Sequence, residues 1–132
     1  MLRLLKLKYP QISSTINVPN NSVLETENSV ATNVQYNDDR KRILVTLQAY
    51  SKCKDHPDWF NIEVEIVGMF EAELLDTDNK IREAHVQGYD MLFPFLQALI
   101  AELTSKAGIP PYFFDKPPVD FPDIKVKAPQ KN

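Results

Sequence analysis

Cysteine, glycine and histidine are scarce in this chain. One cysteine, Cys53, leaves no intrachain disulfide possible, which matches a reducing compartment such as the cytosol. Three glycines are too few for a glycine-rich phosphate loop, and the two histidines, His56 and His85, stand apart with no ligand-spaced companions. No run of five basic residues is present, and the formal net charge is -3, which argues against a nucleic-acid surface. There is no stretch of 18 apolar residues to span a bilayer. The opening "MLRLLKLKYP" interleaves Leu2, Leu4, Leu5 and Leu7 with Arg3, Lys6 and Lys8, so it reads as a first strand rather than a secretory signal.

What remains is an ordinary globular composition, 43% hydrophobic and 25% charged over 132 residues, enough for one domain. The clearest periodicity is "FNIEVEIVGMFEAELL" (residues 60–75). Phe60, Ile62, Val64, Ile66, Phe70 and Leu74 alternate with Asn61, Glu63, Glu65, Glu71 and Glu73. Period-2 alternation of this kind marks a long antiparallel strand with one wet face, with Gly68 expected at a bend or bulge. Further strands are expected near the N-terminus, at residues 29–36 and at residues 43–53, the last ended by the turn "KDHPDW". Residues 11–28, rich in Ser, Asn and Thr, read as a long connecting loop.

The segment "DMLFPFLQALIAELTSKAGIPP" (residues 90–111) predicts a helix from about Leu92 to Ala107. Asp90 is placed as N-cap, Pro94 in the first turn and Gly108 just past the end. Between Met91 and Leu103 only Gln97 and Glu102 are polar, apart from the proline, so the helix is apolar around most of its circumference. A chain this small cannot bury such a helix wholly within itself. The reading is therefore an α+β subunit whose remaining apolar surface is buried in an oligomer.

The order and spacing of Leu92-Phe93-Pro94, Gly108-Ile109-Pro110 and Pro118-Val119-Asp120-Phe121 resemble the SecB family of protein-export chaperones. "FNIEVEIVGMF" is similar to that family's last long strand, and "LKLKYPQISSTIN" stands where its first strand and crossover loop begin. The resemblance implies a four-stranded antiparallel sheet with one long helix packed on one side. Such subunits assemble into homodimers and a homotetramer in the cytoplasm. Residues 1–121 form the domain, and residues 122–132, with room for at most a turn of helix, form a short tail in place of the family's second helix.

The implied activity is non-catalytic: a holdase that binds unfolded or precursor polypeptides without cofactor or metal. The alternatives are an adaptor for a single partner such as an antitoxin, or an oligomeric domain that binds no client. Candidate client contacts are Ile16, Val18, Val23, Leu24, Tyr112, Phe113 and Phe114, although the three aromatics also read as packing under the helix end. The candidate oligomer interface comprises Phe60, Ile62, Val64, Ile66, Phe95, Leu96, Leu99, Ile100 and Leu103, although the four strand residues read as sheet core as well as subunit contact. The family's acidic contacts for the motor SecA are here Gln11 and Thr15, which leaves Glu63 as the one matching SecA contact. The remaining carboxylates read as a solvated face, and "DTDNK" (residues 76–80) as a turn.

Overall fold

The computed structural model describes residues 2–37, 39, 41–73 and 75–117. In chain order they form strands β1 (Arg3–Ile16), β2 (Thr26–Tyr36), β3 (Arg42–Cys53) and β4 (Phe60–Glu71), then helix α1 (Asp78–Lys106). The strands make one antiparallel sheet in the order β1-β4-β3-β2. The connection after β1 therefore crosses from one edge of the sheet to the other.

Alternation decides which side the helix covers. Ile43, Val45, Leu47 and Ala49 of β3 and Phe60, Ile62, Val64, Ile66 and Phe70 of β4 point to one face and are buried. Helix α1 lies on that face, over β3 and β4. Of its buried residues, Ile81, Ala84, Gly88, Leu92, Leu96, Ile100 and Thr104 recur every three or four positions as one stripe, with Tyr89 and Phe93 buried beside it. Two glycines let the layers approach. A β-carbon on Gly68 would lie 2.7 Å from Leu92 Cδ2, and one on Gly88 would lie 2.6 Å from Val45 Cγ2.

After Gly108 (φ 85°) the chain turns and runs back along the helix as an extended strap. The Tyr112 amide donates to Thr104 Oγ1 (2.9 Å), Gln97 Nε2 donates to the Phe114 carbonyl (3.1 Å) and the Tyr89 hydroxyl donates to the Pro117 carbonyl (2.7 Å). Lys116 pairs with Asp90. The strap thus seals the helix with its own side chains.

Several sequence expectations are corrected. The helix starts at Asp78, capped by Thr77, whose hydroxyl accepts from the Lys80 amide, so Asp90 is no cap and Pro94 lies mid-helix. Pro94 stands there on the exposed side of the helix, where it removes the amide that would bond the Asp90 carbonyl. Strand β4 is 12 residues long and passes through Gly68 in register; the irregularities fall in β1, between Leu4 and Lys6 and between Lys8 and Gln11. The crossover loop shrinks to residues 17–25, because the second half of β1 and the start of β2 pair despite their polar sequences.

The oligomer interface is corrected as well. Phe60, Ile62, Val64, Ile66, Leu96 and Ile100 are buried within a single chain, where sheet meets helix, and present nothing to a second subunit. Phe95, Leu99 and Leu103 remain partly exposed, and with exposed Met91 they form an i, i+4 row along the outer side of α1. The Pro118-Val119-Asp120-Phe121 element and the tail at residues 122–132 lie outside the described residues.

Candidate functional site: the crossover end of the sheet

The crossover loop is tied to the β3–β4 turn at both of its ends. The Asn17 amide donates to the Trp59 carbonyl (2.7 Å), and the Lys54 amide donates to the Glu25 carbonyl (2.8 Å). Between them Asn21 turns the chain at φ 60°, a left-handed conformation that asparagine tolerates better than most residues. In the turn the Trp59 amide donates to the His56 carbonyl, and the His56 ring stacks on the indole at 3.7 Å, nearly parallel. His56 therefore has an aromatic partner that the sequence did not reveal.

Tyr112 joins the strap to the same end. Its hydroxyl receives the Asn28 amide hydrogen (2.7 Å) and lies 3.1 Å from Thr26 Oγ1, while its ring meets Phe60 edge-on. Asn28 in turn accepts from the buried Ser51 hydroxyl (2.6 Å). Thr104 anchors the other side: its buried hydroxyl donates toward the Ile100 carbonyl and accepts the Tyr112 amide. Every polar group in this chain of contacts has a partner, so the scaffold is held in one arrangement.

On that scaffold the predicted client contacts divide. Val23 is 88% exposed and Phe113 68%. Ile16, Val18, Leu24 and Tyr112 are half-buried, and all of these but Val18 pack against the core together with Trp59 and Ile109. Phe114 is the correction: it is fully buried beside Phe93 and belongs to the core, because the strap folds inward there. Val23 lies three residues before Thr26, and Phe113 follows Tyr112, which contacts Thr26, so the exposed pair shares one end of the sheet. Sequence reasoning missed Asn28, Trp59 and Thr104; only Trp59, the sole tryptophan, offered a signal.

The opposite face of the sheet carries Glu63, which is exposed on β4 opposite Ser13 and Tyr50. Among the described residues no group of three or more His, Cys, Asp or Glu is placed to hold a metal, and no helix is long and apolar enough to cross a membrane.

Comparison with known proteins agrees with this geometry. The family model for SecB, preprotein translocase subunit SecB, matches residues 4–131. The protein-export protein SecB of Wolbachia pipientis wMel is 29% identical over 119 residues, covering 86% of this chain and 70% of that protein. That of Bartonella bacilliformis is 26% identical over 129 residues, covering 95% of this chain and 70% of that protein. Among solved structures, the Mycobacterium tuberculosis SecB-like chaperone in complex with a ChAD peptide from the HigA1 antitoxin superposes with a TM-score of 0.71. That match has 13% identity and covers 87% of this chain and 90% of that one. A Streptococcus agalactiae protein of unknown function superposes with a TM-score of 0.54 and 15% identity, covering 88% and 98% of the two chains. A family match over almost the whole sequence and the sheet order, crossover and long helix described above lead to one conclusion: the chain belongs to the SecB family of protein-export chaperones.

Proposed function

We propose that this protein is a cytoplasmic, non-catalytic holdase that binds unfolded or precursor polypeptides at the crossover end of its sheet. The observation that carries the proposal is the exposure of Val23 and Phe113 on a scaffold whose polar groups are satisfied. An unfolded chain offers apolar side chains without fixed shape, and a few exposed apolar contacts on a rigid support suit it. Ile16, Val18, Leu24 and Tyr112 form the half-buried floor of this site.

Assembly into homodimers and a homotetramer uses the row Met91, Phe95, Leu99 and Leu103, of which one subunit leaves Met91 and Phe95 exposed and Leu99 and Leu103 half-covered. Glu63, exposed on the open sheet face, is the proposed contact if SecA takes over the client. No cofactor enters this activity.

A second reading is a dedicated adaptor for one partner such as an antitoxin, favoured by the solved SecB-like chaperone that holds an antitoxin-derived peptide. The test is aggregation suppression at stoichiometric ratio with several unrelated unfolded proteins. Protection of all supports the holdase and protection of one supports the adaptor. Protection of none leaves an oligomeric domain without clients.

A further inference from the structure

The open face of the sheet divides into two halves of opposite character. Toward the crossover end it carries Glu63, Glu65 and Glu27 among amides and hydroxyls, with Lys52 the one cation, between Glu27 and Asn61. Toward the other end, register places Lys6, Met69 and Leu44 side by side, with Lys8 and Val67 in the next row and Arg42 beside Glu71 beyond. Leu44, Val67 and Met69 are only half-buried, which is unusual for the solvent side of a sheet whose core lies on the other face.

Among the described residues, three of the four cations around these apolar side chains lack an ion-pair partner. Arg3 bonds Glu71 (3.1 Å) and so takes up the one carboxylate on this half of the face. Among the described residues Lys6, Lys8 and Arg42 have no ion pair, and Asp39 in the adjoining turn accepts from the Lys41 amide. Arg42, Leu44 and Met69 also line one wall of a hollow of about 260 Å³, shared with Gln35, Tyr36, Asn37 and Ile43. Among the described strand residues, a chain of net charge -3 thus concentrates four cations and one carboxylate around an apolar strip with a hollow at its side.

We infer that this half of the open face is a docking surface for an acidic peptide segment of a partner protein, one in which carboxylates alternate with apolar residues. The charge is complementary, the unpaired lysines lose no internal contact on binding, and the hollow beside Met69 accepts one apolar side chain. The surface is separate from the crossover end, so the inference stands independently of the holdase reading.

The test is fluorescence anisotropy with a labelled peptide of alternating glutamate and leucine, set against the alternating lysine and leucine peptide and against vesicles containing anionic phospholipid. The glutamate peptide should bind. Lys6→Glu with Lys8→Glu should weaken it by about tenfold or more, as should raising the salt to about 1 M, where screening acts within roughly 3 Å. Lys6→Arg with Lys8→Arg should retain it. Melting followed by circular dichroism checks folding, and the neutral pair Lys6→Gln and Lys8→Gln replaces the reversed one if that fails to fold. Equal binding of the lysine peptide, or affinity indifferent to the charge reversal, overturns the inference. Binding to the vesicles without binding to the peptide overturns it in favour of a membrane surface. The charge-reversed protein should still suppress aggregation, which separates this surface from the client site.

Discussion

Gly88 of the helix faces Val45 of β3 so closely that a β-carbon at Gly88 would stand 2.6 Å from Val45 Cγ2. Helix and sheet meet here with no room for a methyl group. Alanine gains about 1 kcal/mol of helix propensity over glycine, but overpacking a core costs roughly 1–3 kcal/mol, and the valine tip is held on a branched, buried side chain. Gly88→Ala should therefore lower stability in urea unfolding. Adding Val45→Ala should restore part of the loss, a coupling that only a shared contact produces.

Thr104 holds the strap. Its hydroxyl accepts the Tyr112 amide and has no exposed surface. Thr104→Val keeps the shape but strands that amide, which should cost about 1–3 kcal/mol, whereas Thr104→Ser retains the bond. Limited proteolysis beyond Gly108 should accelerate in the valine variant and not in the serine variant.

The strap also carries a pH signature. Burial, followed by the neighbouring Asp90 charge, pushes the Tyr89 hydroxyl up to about 12 from its ordinary value near 10. A raised value means the folded state holds the proton longer than the unfolded state does. The contribution is present below about pH 10 and is lost as pH rises through about 12. Melting temperature should fall less steeply over that window in Tyr89→Phe than in the wild type. At the acid end His85, lowered by burial, contributes stability that is lost as pH falls below its ordinary value.

Inner and outer residues of α1 should respond differently to a charge. Leu96 has no exposed surface, so Leu96→Asp should unfold the subunit, because an unpaired buried carboxylate costs several kcal/mol. Phe95 is 38% exposed and Leu99 is half-buried on the outer row. Phe95→Glu with Leu99→Glu should leave the circular dichroism spectrum intact while native mass falls to that of the 15.2 kDa monomer.

Val23→Ser with Phe113→Ser should leave the melting temperature unchanged, since both side chains already stand in water. Aggregation suppression should drop several-fold. Unchanged suppression would remove the crossover end as the client site.

Much of the fold was legible in the residues. Strand β4 declares itself because one face is dry and the other wet, and the helix end is marked by Gly108, which takes the left-handed conformation expected of it. The helix start was not legible. Residues 78–90 are mostly charged and polar, and their apolar stripe through Ile81, Ala84 and Gly88 contains two small residues that mark close packing rather than hydrophobicity. Nor did the second half of β1 show itself, because an edge strand exposed on both sides has no alternation to display. Periodicity finds apolar faces without saying what covers them, which is why Phe60, Ile62, Val64 and Ile66 read equally as sheet core or subunit interface until their burial under the helix decided for core. At the site, Val23 and Phe113 came through as exposed while Phe114 did not, because the strap's inward fold depends on Thr104 and Gln97, contacts distant in sequence.

The stacking of His56 on Trp59 gives the protein a built-in optical reporter. The chain has a single indole, and it stands beside the crossover loop, half-buried and hydrogen-bonded through its backbone to Asn17. Its emission arises from one place only, so a spectral shift on adding an unfolded chain reads occupancy of the crossover end without any label.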